Sequence, residues 1–284
     1  SWSYSSSGNS GNGGAIDLDA GGNITTRGLF SDSHSPSSSG NSGKGGAIDL
    51  DADGDIETQH INSWSKSIYG NSGNGGAIDF VAGGDITTQY LYSRSSSSEG
   101  NSGNGGAITL NAKTIKSNPP QYENAEKLKN YTFSVGKTGS GKGGDVNITT
   151  NNLSNTDILT LSSHSESGKV TIESNTQEPL QINDSSIITS EQVEIKTCES
   201  CNPIKIDVGA EVKSGQVSIN SSGDLNLNNF RIESDTKSDQ AAGNVNIYSI
   251  GNITLDNTDI ISTTSSQGNA GQITLETEQN IELT

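Results

Sequence analysis

The sequence predicts an all-β fold, a parallel β-solenoid. A long unit recurs: GNSGNGGAIDL starts at Gly8 and returns with small changes at Gly40, Gly70 and Gly100, a step of about 30 residues that places the chain among repeat architectures. Within each unit the apolar residues alternate with polar ones, as in a half-buried strand, and nowhere follow a helical period over a helix length. A second and a third strand pattern then follow at constant distances. Gly21-Gly-Asn-Ile-Thr-Thr, Asp53-Gly-Asp-Ile-Glu-Thr and Gly83-Gly-Asp-Ile-Thr-Thr supply the second, and Leu29, Ile61 and Leu91 mark the third. Three short strands per repeat describe one coil of such a solenoid.

Composition agrees with this fold. Ile, Leu, Val and Phe make up only roughly a fifth of the residues, near the limit below which a highly charged chain stays disordered. The chain has 284 residues and a net charge of −17. Its few apolar residues fall at regular positions, and a solenoid needs only a thin core because each coil stacks on its neighbours.

Residues 1–116 hold the long-period coils. In the copy at Gly70, alternation turns Ile78 and Phe80 inward and Asp79 outward. Ile86 with Thr88, and Leu91 with Ser93 and Ser95, continue the inward row. Stacking then aligns Ile16, Ile48, Ile78 and Ile108 in one column and Ile24, Ile56, Ile86 and Ile115 in another. The glycine-rich half of each unit reads as a turn, and the serines after the third strand (Ser37–Ser39, Ser95–Ser98) read as a flexible loop.

Residues 117–138 break the rhythm. Asn118-Pro119-Pro120 ends the strand pattern, because proline cannot donate to a central ladder, and Glu123–Tyr131 is the best short-helix candidate. The segment is expected to be an excursion from the solenoid rather than a domain boundary. From 139 to 284 the coils shorten to about 24 to 28 residues. Their first strands read Gly-x-Val-x-Ile, as at Gly144-Asp-Val146-Asn-Ile148, Gly168-Lys-Val170-Thr-Ile172 and Gly243-Asn-Val245-Asn-Ile247. About ten coils at about 4.8 Å each would make a rod roughly 50 Å long.

The Gly-Asn-Ile-Thr-Leu-Asp run at Gly251, the Gly-x-Val-x-Ile units and the GNSGNGGAIDL units together resemble the repeats of filamentous-haemagglutinin-type exoproteins, most closely the large cyanobacterial versions. The likeness covers nearly the whole chain except 117–138. It implies a right-handed parallel β-helix, export through a dedicated outer-membrane partner (two-partner secretion), and an adhesin bound to the cell surface or released. The chain opens with Ser1-Trp-Ser-Tyr and closes at Gln279-Asn-Ile-Glu-Leu283, both within the repeat pattern, as expected of a segment of a longer protein.

Several function classes fit poorly. A net charge of −17 disfavours nucleic acid, whose recognition rests on clustered Lys and Arg, and disfavours an acidic membrane surface. No apolar run approaches the roughly 20 residues of a membrane-spanning helix. The two cysteines, Cys198 and Cys201, sit in one Cys-Glu-Ser-Cys motif. A local disulfide pinning a turn fits them best, and an oxidising extracellular setting would suit it. A redox pair would open a helix in a thioredoxin-like context, and zinc would need about four ligands, to which only His34, His60 and His164 could add.

Two surface patterns remain as candidate sites. Asp17, Asp19, Asp49, Asp51 and Asp79 project from the first strands as a carboxylate ladder, either solvated or bridged weakly by calcium, which prefers oxygen ligands. Aromatic residues cluster early. Trp64 points outward by strand parity, Phe30 and Tyr92 share the column of Asn62, and Trp2 precedes them. Exposed rings beside polar groups can stack on sugars, so Trp2, Phe30, Trp64 and Tyr92 form a candidate surface for glycans or cell-surface receptors. The alternative is that the rings cover the shaft. Many glycan-cleaving enzymes are parallel β-helices that use paired carboxylates. These aspartates, however, follow the repeat, whereas a catalytic site breaks it. A structural and adhesive shaft is therefore expected ahead of a polysaccharide hydrolase or lyase, with no cofactor beyond a weakly held calcium ion.

Overall fold

The computed structural model describes residues 1–117, 128–136, 139–163, 167–174, 176, 178–183, 185–189, 192–197, 204–207, 211–236, 242–264 and 268–284. Cys198 and Cys201 lie outside them. Among the described residues the regular structure is all strand, arranged as three parallel sheets stacked into a β-solenoid. The first-strand sheet (I) and the second-strand sheet (II) each have ten strands, and the third-strand sheet (III) has eleven. Every paired neighbour is the equivalent strand of the next repeat, so each sheet grows along the rod and no strand pairs within its own coil.

The register makes the inward columns continuous. In sheet I, Ile16 pairs with Ile48, Ile48 with Ile78, Ile78 with Ile108 and Ile108 with Val146. The column runs on through Val170, Val193, Val217, Val245 and Ile273. Sheet II aligns Ile24, Ile56, Ile86, Ile115 and Leu153, and sheet III aligns Leu29, Ile61 and Leu91. Most of these side chains are fully buried. Each contributes on the order of 1.5–3 kcal/mol by leaving water. Thr88 also faces inward, where it accepts a hydrogen bond from the Thr58 hydroxyl at 2.6 Å.

Two expectations are corrected in the long-period coils. Of the serines expected as loop, Ser95–Ser97 are strand, while Ser37–Ser39 and Ser98 lie outside strands: sheet III runs without a break over His60–Ser67 and Tyr90–Ser97. The glycine-rich half is a further extended wall rather than a turn. Its backbone pairs coil to coil, with the Ser42 N–H donating to Asn71 O and the Ser72 N–H to Asn101 O, both at 3.0 Å. The two walls face each other across the interior. Ser63, Ser65 and Ser67 donate to the carbonyls of Gly46, Gly43 and Gly40 at 2.6, 2.6 and 2.9 Å. One coil on, Ser93, Ser95 and Ser97 donate to Gly76, Gly73 and Gly70 at 2.5, 2.6 and 2.7 Å. The serine of each GNS motif joins in, as Ser42 with Ser65 at 2.8 Å and Ser72 with Ser95 at 2.7 Å.

This interior accounts for the glycines. A Cβ on Gly76 would collide with the Gly46 carbonyl oxygen and with Ser63 Oγ. That hydroxyl already accepts the Gly76 N–H at 3.0 Å. The asparagines of the wall add a ladder of their own: Oδ1 of Asn9, Asn41 and Asn71 accepts the backbone N–H of Asn41, Asn71 and Asn101 at 2.8, 2.7 and 2.9 Å.

Part of the expected excursion also lies within the solenoid. Leu128–Gly136 is a sheet III strand, paired with Tyr90–Ser97 on one side and Thr156–Ser162 on the other. Its alternating aromatic and β-branched residues suit a pleated strand and override the helical preference expected up to Tyr131. Residues 118–127, with Pro119 and Pro120, lie outside the described residues. Beyond 139 sheet III strands shorten, to Ser186–Ile188 at the least, but inward hydroxyls persist: Thr160 donates to Gly168 O at 2.8 Å and Ser234 to Gly243 O at 2.7 Å. Asn155, Asn229 and Asn257 take positive φ (51°, 49° and 45°) between the second and third strands, a conformation asparagine tolerates better than most residues.

Removing one interior hydroxyl tests the polar half. Ser63→Ala leaves the Gly76 N–H and the Gly46 carbonyl buried without their partner and should cost about 1–3 kcal/mol in urea denaturation. Ser98→Ala, at an exposed position of the same serine run, should change stability by less than about 0.5 kcal/mol.

Candidate functional site

Alternation along sheet III sets the candidate surface. Inward serines fix their neighbours outward, so Asp32 and His34, Trp64 and Lys66, and Arg94 and Ser96 lie on one outer face. The register stacks them: Trp2 beside Asp32, Tyr4 beside His34, Trp64 beside Arg94, His34 and Ser96 on either side of Lys66. Phe30 and Tyr92 flank Asn62, as expected.

The rings on this face are not equivalent. Trp2 is 70% exposed and Phe30 50% exposed. Trp64 and Tyr92 are half-buried. The Arg94 guanidinium lies 3.6 Å from the Trp64 ring centre and Lys66 Nζ 4.7 Å from it, so cations already occupy the indole surface. Trp64 Nε1 donates to Ser96 Oγ at 3.1 Å, which fixes the ring. His60 and Tyr90 stack at 4.8 Å with an 8° tilt, and Trp2, Tyr4 and His34 form a second group with ring centres 5.5 and 5.6 Å apart.

Asp32 anchors the strip from below. Its Oδ1 accepts the Trp64 backbone N–H and the Asn62 amide, both at 3.0 Å. Burial nevertheless raises its pKa above the usual carboxylate value, against the pull of these hydrogen bonds and of Arg94. Burial likewise lowers Arg94, with Tyr92 and Asp32 acting the other way. His34 is lowered by burial and then by Lys66.

Arg94, Lys66 and Asp32 were not singled out from the sequence, and His34 and His60 entered only as possible zinc ligands. The signal was present in the strings SDSHS, SWSKS and SRSSS, where every second residue is serine. The parity that turns Trp64 outward puts Asp32, His34, Lys66 and Arg94 on the same outward row.

The carboxylate ladder forms on the outer face of sheet I. Asp17 pairs with Asp49 and Asp49 with Asp79, while Asp19 pairs with Asp51 and Asp51 with Val81. Asp49 is raised by burial and by Asp17 and Asp51, and Asp79 by burial and by Asp49 and Asp51. Oδ1 of Asp79 is buried without a hydrogen-bond partner. Among the described residues no three His, Cys, Asp or Glu side chains converge so as to hold a metal ion. A calcium ion takes 6–8 oxygens, and a ladder on one flat face offers them from one side only. The later coils neutralise such columns instead: Lys196 pairs with Glu173 at 3.4 Å and Lys169 with Glu194 at 2.7 Å.

A polar groove of about 420 Å³ lies on the outer side of sheet II near residue 254, lined by Asp224, Asn226, Asn252, Thr254, Asn280 and Glu282. Three of its groups bond in a row, with the Asn252 N–H donating to Asp224 Oδ1 at 2.8 Å and the Asn280 amide to Asn252 Oδ1 at 3.2 Å. No model of a known family, no curated protein and no solved structure matches the chain.

The aspartate ladder gives stability a defined pH dependence. A carboxyl whose pKa is raised by folding stabilises the fold fully below its unfolded value, and that stability is lost as pH rises through the raised value. The wild-type chain should therefore gain stability on acidification from neutral pH toward the ordinary carboxylate range, as far as Asp49 and Asp79 govern it. Asp49→Asn with Asp79→Asn should raise the melting temperature at pH 7 and flatten that gain. A melting temperature unchanged at pH 7 would refute the repulsion.

Proposed function

We propose that this chain is a structural and adhesive shaft: a right-handed β-helix of about ten coils within an exported surface protein of the filamentous-haemagglutinin type. The observation that carries this is the regularity of the outer surface. The sheet I carboxylates and the sheet II polar groove follow the repeat, as shaft material does, and three continuous backbone ladders suit a stiff spacer. The sheet III strip supplies the contacts. The exposed rings, Trp2 and Phe30 foremost, offer weak sites for a glycan or a cell-surface receptor, and several such sites on one rod make the sum multivalent.

A glycan array tests it. The wild-type chain should bind a subset of glycans. Trp2→Ala with Phe30→Ala should weaken binding more than Trp64→Ala, because the Trp64 ring is already covered by Arg94. No binding by a wild-type chain of unchanged circular dichroism would leave a spacer without adhesive contacts.

One observation favours a glycan-cleaving enzyme as a second reading. Asp32 breaks its column, which otherwise holds Trp2, Trp64 and Arg94, and it is a half-buried carboxylate with a raised pKa beside a cation. Such groups cluster at active sites. If this site is catalytic, new reducing ends or unsaturated sugar products should appear on a polysaccharide panel, and Asp32→Asn should abolish them. An inert wild-type chain on that panel would rule against it.

A further inference from the structure

Outer charge in residues 1–117 is divided by face. On sheet I, Asp17, Asp19, Asp49, Asp51 and Asp79 stand in two adjacent columns, and among the described residues none forms an ion pair. On sheet III the outward row carries Lys66, Arg94, His34 and His60 among aromatic rings, with Asp32 its carboxylate, held beneath Trp64. Among the described residues Lys66 reaches no carboxylate, and its ammonium lies over the Trp64 ring. The two faces belong to the same coils: Asp49 and Asp51 share a coil with Lys66, and Asp79 shares one with Arg94.

The rungs of both faces are spaced by the same backbone ladder, about 4.8 Å per coil. Two copies lying side by side, parallel and level, therefore keep carboxylate and cation in step over the two coils that carry Lys66 and Arg94. Another partner would have to reproduce that spacing; a second copy has it by construction. Apolar surface is also exposed on both sides, with Val81 on the acidic face and Trp2, Tyr4 and Phe30 on the cationic one.

We infer that the shafts associate laterally with further copies of this chain, the sheet III strip of one copy seating on the sheet I aspartate ladder of the next. The contact is heterologous, since the two patches differ, so it leaves one free face of each kind and propagates as an open array. The net charge of −17 opposes approach at long range. Salt near 0.1 M screens that repulsion beyond about 10 Å while the contact pairs persist, and 1 M salt screens the pairs as well. Association is therefore strongest at intermediate ionic strength. It uses the fold and the charge pattern alone and stands apart from any glycan contact.

Sedimentation velocity on the whole chain tests the inference. In 0.1 M salt the mean mass should rise with concentration, and in 1 M salt it should return to the monomer. Lys66→Glu and Asp51→Lys should each weaken association about ten-fold or more, because each sets like charges together. Their equimolar mixture should restore it, because the two changes are complementary. Circular dichroism checks each fold, and Lys66→Met replaces Lys66→Glu should that variant unfold. A wild-type chain that stays monomeric at 0.1 M salt overturns the inference, as does association indifferent to both substitutions or a mixture that fails to recover. A monomer that binds glycans on the array assigns the strip to glycans and overturns self-association. Association with no glycan bound upholds it and removes the adhesive contacts instead.

Discussion

The coil-to-coil backbone ladder is the constraint on which everything else depends. Every strand pairs with its equivalents in the neighbouring repeats, so each position along a coil becomes a column about 4.8 Å in step. An inward column must keep one shape, and the sheet I column keeps to Ile and Val from Ile16 to Ile273. An outward column repeats whatever it carries. Like charges in it add to the cost of burial, which together raise Asp49 and Asp79, and opposite charges lock, as Lys196 and Glu173 do.

The chain fills its interior in two ways. The later coils close around apolar residues from all three sheets, with a few inward hydroxyls such as Thr160 and Ser234 bonded to glycine carbonyls. The earlier coils are wider and add a fourth wall of glycine and asparagine, which exposes backbone carbonyls to the interior. Buried carbonyls require donors. Three serines per coil supply them, each reaching a glycine of its own coil. A polar interior is costly unless it is fully satisfied, which explains why Ser, Gly and Asn recur together and not singly.

This solution shapes the surface. Holding the inward side of sheet III to serine frees the outward side to vary, because serine–glycine bonding and not the outer residue fixes the strand. The non-repeating groups Asp32, Trp64, Lys66 and Arg94 lie there. Sheet I repeats aspartate outside and isoleucine inside. One sheet is thus uniform and the other diverse, although both rise through the same coils.

The sequence by itself determined the all-β class, the parallel stacking, the three strand families and their inward columns, because a two-residue alternation inside a fixed repeat admits one register. It also placed Phe30 and Tyr92 beside Asn62 and turned Trp64 outward. Only the tertiary structure decided that the glycine segment is a wall, that the third strand runs on through Ser97 and that 128–136 belongs to sheet III. Gly, Ser and Asn carry no apolar periodicity, so their order arises from hydrogen bonds between segments 17 to 27 residues apart. The tertiary structure likewise decided that Arg94 covers Trp64, since those residues lie a full coil apart and meet only when the ladder brings them side by side.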